Sequence, residues 1–179
     1  MLILMGPSAS GKTEVAKILE VKYNLKKVIT HTTRQIRVGE KNGIDYHFVD
    51  KDTFLTMKIN NEFVETAVYN NNFYGTSKKE VADNKCVVLE PQGAESFKKL
   101  GDNHIFIAYL NCSENERIRR MHARKDAPDK ILSRIESDRL AFSKKTPLIA
   151  DVTVDSEKNN QNVLADILYT LYKDYLSSL

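Results

Sequence analysis

Long apolar runs are missing from this chain of 179 residues. The apolar stretch at residues 1–5 is followed at once by Gly-Pro. That is too short for the core of a signal peptide, and no other stretch approaches a membrane span. The expectation is a cytosolic protein with no membrane partner. Cysteine is scarce: Cys86 and Cys112 are the two present, each in or beside an apolar run. They read as small buried hydrophobes in a reducing compartment, not as a disulfide or a metal site. Glycine and proline number seven and four, with no low-complexity linker and no internal repeat. A strong charge of one sign is missing too. The 27 basic and 24 acidic residues leave a net +3, too little to argue for a nucleic-acid partner. An anionic small molecule suits that balance equally well.

What is present is ordinary soluble composition, 41% hydrophobic and 28% charged, in one domain long enough to bury a substantial core. Four short apolar runs, at residues 2–5, 86–90, 105–110 and 151–155, lack strict alternation, as strands covered on both faces should. Helical periodicity occupies 14–23, 113–124 and 162–176, the second opening with a Ser113–Glu116 capping box. Strands alternating with helices predict a parallel α/β sheet with right-handed crossovers. Residues 32–79 break that rhythm with alternating short strands and little helix beyond 53–59, and read as a mostly β insertion. A second polar segment, 125–145, has the composition of a mobile stretch.

The stretch GPSASGKT at residues 6–13 fits G-x-x-x-x-G-K-[ST]. It follows a predicted strand and opens a predicted helix, the context its mechanism needs. Gly6 and Gly11 let the backbone curl, so that N–H groups along Ser8, Ala9 and Ser10 and at the helix N-terminus face phosphate oxygens. Lys12 reaches the β- and γ-phosphates and the Thr13 hydroxyl ligates Mg²⁺. A nucleoside triphosphate is therefore the expected ligand of Gly6, Ser8, Ala9, Ser10, Gly11, Lys12 and Thr13.

The stretch TTRQIRVGEKNGIDYHFVD, residues 32–50, places Arg34 and Arg37 three apart, with Tyr46 beyond Gly39 and Gly43. Two planar guanidinium forks can converge on one phosphate. Taken by spacing alone, solvated loop arginines and a second phosphate site remain equally open.

Together with EFVETAVYNNNFYGTS at residues 62–77 and the loop upstream, this stretch resembles the guanylate kinase family, from the N-terminus to about Gly93 and weakly beyond. The resemblance implies a P-loop NTPase-type parallel sheet flanked by helices, a mostly β nucleotide-monophosphate-binding insertion and a helical lid. The expected boundaries are core 1–31, 80–115 and 146–179, insertion 32–79 and lid 116–145, within a single domain 1–179. It implies that Arg34, Arg37, Tyr46, Tyr74 and the hydroxyl of Thr30 hold the GMP phosphate. Glu65, Thr76 and Glu90 would read the base. The chemistry agrees: a carboxylate can accept from N1–H and N2–H₂ of guanine together, a hydroxyl can serve O6, and adenine reverses both polarities.

Val88 stands where the family commonly has a first acidic residue, and Pro91 is unexpected beside it. In the later half, Arg120, Arg124 and Arg134, with Arg139 beyond them, resemble the lid arginines that close over the triphosphate in the family. Arg117 and Arg119 read as solvated, and no histidine is assigned a ligand role. The implied reaction is in-line transfer from ATP·Mg²⁺ to GMP or dGMP. Lys12, Arg34, Arg37 and the lid arginines Arg120, Arg124 and Arg134 would neutralise charge. The alternatives are a kinase for another small phosphorylated acceptor, dGMP specifically among them, and an inactive module that binds a protein. Nothing in the sequence specifies an oligomeric state.

Overall fold

The structure is a computed structural model that describes residues 1–36, 40–69, 72–142 and 149–179. Its elements run β1 (Leu2–Met5), α1 (Lys12–Tyr23), β2 (Lys26–Lys27), β3 (His31–Thr32), β4 (His47–Phe48), α2 (Lys51–Ile59), β5 (Phe63–Tyr69) and β6 (Asn72–Ser77). After a 3₁₀ turn at Lys78–Glu80 come β7 (Lys85–Leu89), α3 (Pro91–Lys98), β8 (Phe106–Asn111), α4 (Glu114–Ala123), α5 (Pro128–Ala141), β9 (Val152–Asp155) and α6 (Gln161–Ser177).

Five strands form one sheet in the order β2-β7-β1-β8-β9, every pair parallel. The side chains of β1 explain why its sequence shows no alternation. Leu2 and Leu4 enter one core with Val15, Leu19, Leu164 and Leu168 beneath α1 and α6. Ile3 and Met5 enter a second core with Ala94, Phe97 and Ile107 on the α3 side. Each fully buried apolar side chain of this kind contributes about 1.5–3 kcal/mol. The central strand is thereby fixed, and the loop that leaves its carboxyl end has a rigid base.

A second sheet, of four strands in the order β4-β3-β6-β5, is built within residues 31–77. Strands β3 and β4 are parallel, while β6 is antiparallel to both β3 and β5. Helix α2 opens at Asp50, whose carboxylate accepts from the Thr53 N–H at 2.6 Å. Its Phe54 stacks on Phe63 and Phe73. A side chain at Gly75 would lie 2.9 Å from Phe63, so glycine lets the aromatic layer close over the sheet.

The polar segment after residue 125, whose composition read as mobile but which the resemblance placed in a helical lid, contains a 14-residue helix, α5, with Pro128 in its first turn. Ile131 and Ile135 are buried there with Met121 of α4, which is why the helix is held. Pro91 likewise occupies the first turn of α3 and is buried. A missing N–H costs nothing at that position, so this unexpected proline starts a helix. Among the described residues, no helix is long and apolar enough to cross a membrane.

Candidate active site

The loop between β1 and α1 is shaped by contacts that its sequence dictates. A Cβ on Gly6 would lie 2.7 Å from the Leu110 carbonyl oxygen. Only glycine lets the chain pass so close to β8. Gly11 adopts φ +100° as the residue before α1, and no side chain caps that helix. Its first backbone N–H groups are therefore free to serve an anion. Ala9, at φ +62°, is also left-handed, a conformation unusual for a residue with a side chain.

Lys12 folds back on the loop, donating to the carbonyl oxygens of Gly6 and Pro7. Burial lowers its pKa to about 8, against the opposing pull of the Asp138 and Glu90 carboxylates. The loop faces a cavity of about 360 Å³ lined by Gly11, Lys12, Thr13, Arg120, Arg124 and Gln161. The dimensions, the backbone donors and the cations suit a polyphosphate.

A second cavity, of about 400 Å³, opens on the other side of Thr13. Thr30, Tyr46, Glu65, Thr76 and Val88 line it, so residues from both sheets share one cleft with the loop. Thr76 is fully buried and its hydroxyl donates to Oε1 of Glu65 at 2.7 Å. Strands β5 and β6 set that pair opposite each other in register. The Arg34 guanidinium lies over the Tyr46 ring at 5.4 Å, and Tyr46 meets Tyr74 edge to face. Arg34 donates to Glu40 at 2.6 Å. Three residues expected to hold an acceptor phosphate are thus gathered. Arg37 and Gly39 lie outside the described residues. Glu90 is exposed and lines an adjoining groove with Glu65 and Gln92. Val88, 36% exposed, faces the cleft itself.

The expected lid arginines are each paired. Arg120 donates to Glu116 at 2.8 Å, to the Ser156 carbonyl at 2.8 Å and to the Ala9 carbonyl at 3.3 Å. Hydrogen bonds from Arg119 and Arg120 hold the Glu116 carboxyl down to about 2. Arg124 and Arg134 converge on Oδ2 of Asp126, at 3.1 and 2.8 Å, and Arg139 pairs with Glu114. Arg119 is exposed, as expected. Arg117 is not solvated. It is 6% exposed and donates to Asp138 at 2.6 Å. A partner 21 residues away made its burial possible.

Asp138 is the residue that sequence reasoning missed. It is 8% exposed on α5 and accepts from both the N–H and the hydroxyl of Ser8, at 2.9 and 3.1 Å. The expected helical lid at 116–145 includes it, but no local pattern pairs it with Ser8, 130 residues away.

For a divalent cation, Thr13 offers a solvent-exposed hydroxyl. Among the described residues no three His, Cys, Asp or Glu side chains form a metal-binding cluster. That donor set fits Mg²⁺, which commonly takes one or two protein oxygens and completes its shell with substrate phosphates and water.

The guanylate kinase family profile matches residues 1–165. The guanylate kinase of Anaplasma phagocytophilum is 38% identical over 137 residues, which are 72% of this chain and 65% of that protein. That of Dechloromonas aromatica is 38% identical over 143 residues, 75% of this chain and 71% of the relative. The crystal structure of the Anaplasma guanylate kinase superposes with a TM-score of 0.59 at 29% identity, covering 97% of this chain and 84% of that one.

Proposed function

The chain belongs to the guanylate kinase family, and from that premise we propose that it transfers the γ-phosphoryl group of ATP to GMP, and also to dGMP. The observation that carries the reading is a single cleft in which Thr13, at the phosphate loop, faces the Glu65–Thr76 pair across about 400 Å³. A donor site and an acceptor site that share a wall can bring two phosphates into line.

The residues divide the work. Backbone N–H groups at the start of α1 and the Lys12 ammonium take the donor phosphates once Lys12 exchanges its two carbonyl partners for phosphate oxygens. The Thr13 hydroxyl would hold Mg²⁺, which supplies neutralisation of charge between the β- and γ-phosphates when bound. Arg34, Arg37, Tyr46, Tyr74 and Thr30 take the acceptor phosphate. The Thr76 hydroxyl donates to Glu65. When N1–H and N2–H₂ of guanine satisfy that carboxylate, the hydroxyl is released to donate to O6. Arg120, Arg124 and Arg134 leave their carboxylate partners to face the transferring group. No general base is required, because the attacking phosphate is already an anion.

Both cysteines are buried and free, which suits the reducing cytosol. In that compartment the reaction serves purine nucleotide metabolism. The intact phosphate loop favours an enzyme over an inactive protein-binding module.

The test is a coupled ADP-release assay with ATP against a panel of mononucleotides. Turnover is expected with GMP and dGMP. Lys12→Ala should abolish turnover while GMP binding largely survives. Near-normal activity in that variant would remove the phosphate-loop assignment.

A further inference from the structure

We propose that Asp138 and Arg117 are positioning residues that fasten α5 to the phosphate loop and hold Ala9 in the left-handed conformation required for ATP binding. The proposal rests on the reading of Gly6–Thr13 as the ATP site.

Glycine meets the demands of the loop at residues 6 and 11, but Ala9 carries a methyl group at φ +62°. For an L-residue that conformation costs about 1–2 kcal/mol, a factor of about five to thirty in population. Such a residue persists only where its surroundings over-determine it. Here they do so from both sides. Before Ala9, the Ser8 N–H and hydroxyl are both held by Asp138. At Ala9 itself, Arg120 of α4 donates to the carbonyl oxygen. After it, the Ser10 N–H returns to the Pro7 carbonyl at 3.2 Å. The Ala9 methyl packs against the small core of Met121, Ile131 and Ile135. The two lid helices thus grip the loop at consecutive residues.

A buried carboxylate is costly unless it is paired, and Arg117 provides that pairing at 2.6 Å. The pair is buried between α4 and α5, Arg117 6% and Asp138 8% exposed. Its effect is to place a strong acceptor where Pro7, lacking an N–H, leaves Ser8 as the next main-chain donor of the loop after Gly6. With Ser8 tethered to the lid, the N–H groups at the α1 N-terminus remain for phosphate.

The experiment measures Mg·ATP binding by calorimetry without GMP, so the acceptor assignment does not enter. Two pair variants are compared, each with Ala9 retained and with Ala9→Gly. Arg117→Leu/Asp138→Leu replaces the ion pair by apolar volume and removes the acceptors. Arg117→Gln/Asp138→Asn keeps an amide oxygen for the Ser8 N–H. With Ala9 retained, the leucine pair should weaken binding about fivefold to thirtyfold. With Ala9→Gly the loss should shrink to about twofold, because glycine populates positive φ about as readily as negative. The Gln/Asn pair should stay within about threefold, since a hydrogen bond to Ser8 is retained. An equal loss in both backgrounds, or no loss with Ala9 retained, overturns the proposal. Thermal melts report folding. If the leucine pair does not fold, Ser8→Ala replaces it, and a loss that Ala9→Gly fails to reduce is the overturning result. A natural protein that bound no Mg·ATP would instead remove the ATP assignment itself.

Discussion

Glu65→Gln isolates the base-reading chemistry with the least disturbance of shape. The Thr76 hydroxyl occupies one lone pair of Oε1 at 2.7 Å, so the carboxylate keeps its remaining lone pairs for a ligand. Guanine brings N1–H and N2–H₂, two donors on one edge. The amide of glutamine retains one oxygen and sets an NH₂ group against the second donor. One hydrogen bond to a charged acceptor is lost, at about 1.5–3 kcal/mol, or about 10- to 150-fold in kcat/KM for GMP. The assay is ADP release with GMP varied at saturating ATP, then with ATP varied at saturating GMP. The KM for ATP should move by less than about twofold, because the substitution keeps the side chain's shape and lies on the acceptor side of the cleft, away from the donor phosphates. IMP, which lacks the N2 amine, should lose less than GMP, so the preference between them narrows. Equal losses for GMP and ATP, or a GMP loss below about threefold, would refute the reasoning.

Further outcomes follow from other residues. Burial lowers the Lys12 pKa to about 8, and bound triphosphate will raise it. Affinity for ATP is therefore full below pH 8 and declines as pH rises through that value; calorimetry from pH 7 to 9.5 reads this, and a flat profile would contradict it. Asp50→Ala removes the cap of α2 and should cost about 1 kcal/mol, or about 2–4 °C in Tm by calorimetric melt. Val88→Asp, in the cleft beside Thr13, should lower the Mg²⁺ concentration for half-maximal activity by about threefold, the scale of one added hard-oxygen ligand held through water. An unchanged Mg²⁺ titration would show that residue 88 does not reach the metal.

The parallel sheet could be read from sequence because its strands are buried on both faces and make unbroken apolar runs. The runs at 2–5, 86–90, 105–110 and 151–155 recover β1, β7, β8 and β9 within one residue at each end. The phosphate loop was equally legible, since its glycines and lysine carry local meaning. Strands β2, β3 and β4, of two residues each, are too short to have a period. Helix α3 was not read at all, and α5 was expected only as part of a helical lid without its own boundaries, although Pro91 and Pro128 each stand in a first turn. Arg117 looked solvated, since a charge on a helix usually is. Only the tertiary fold brings Asp138 to it. The gathering of Arg34, Tyr46 and Tyr74 likewise depends on pairing across β3, β4 and β6.

The second sheet is entered through β3 and left through β6, and those strands are antiparallel neighbours in its middle, with His31 opposite Gly75. Entry and exit therefore sit side by side, as they must in a segment that can be lifted out of one chain and set into another without retracing the host. On the proposed reading, most acceptor contacts fall in a cassette with adjacent ends, with Thr30 and Glu90 outside it, while donor handling stays in the scaffold. Such a layout lets substrate preference diversify by exchange or drift within residues 31–77, with the central strands left untouched.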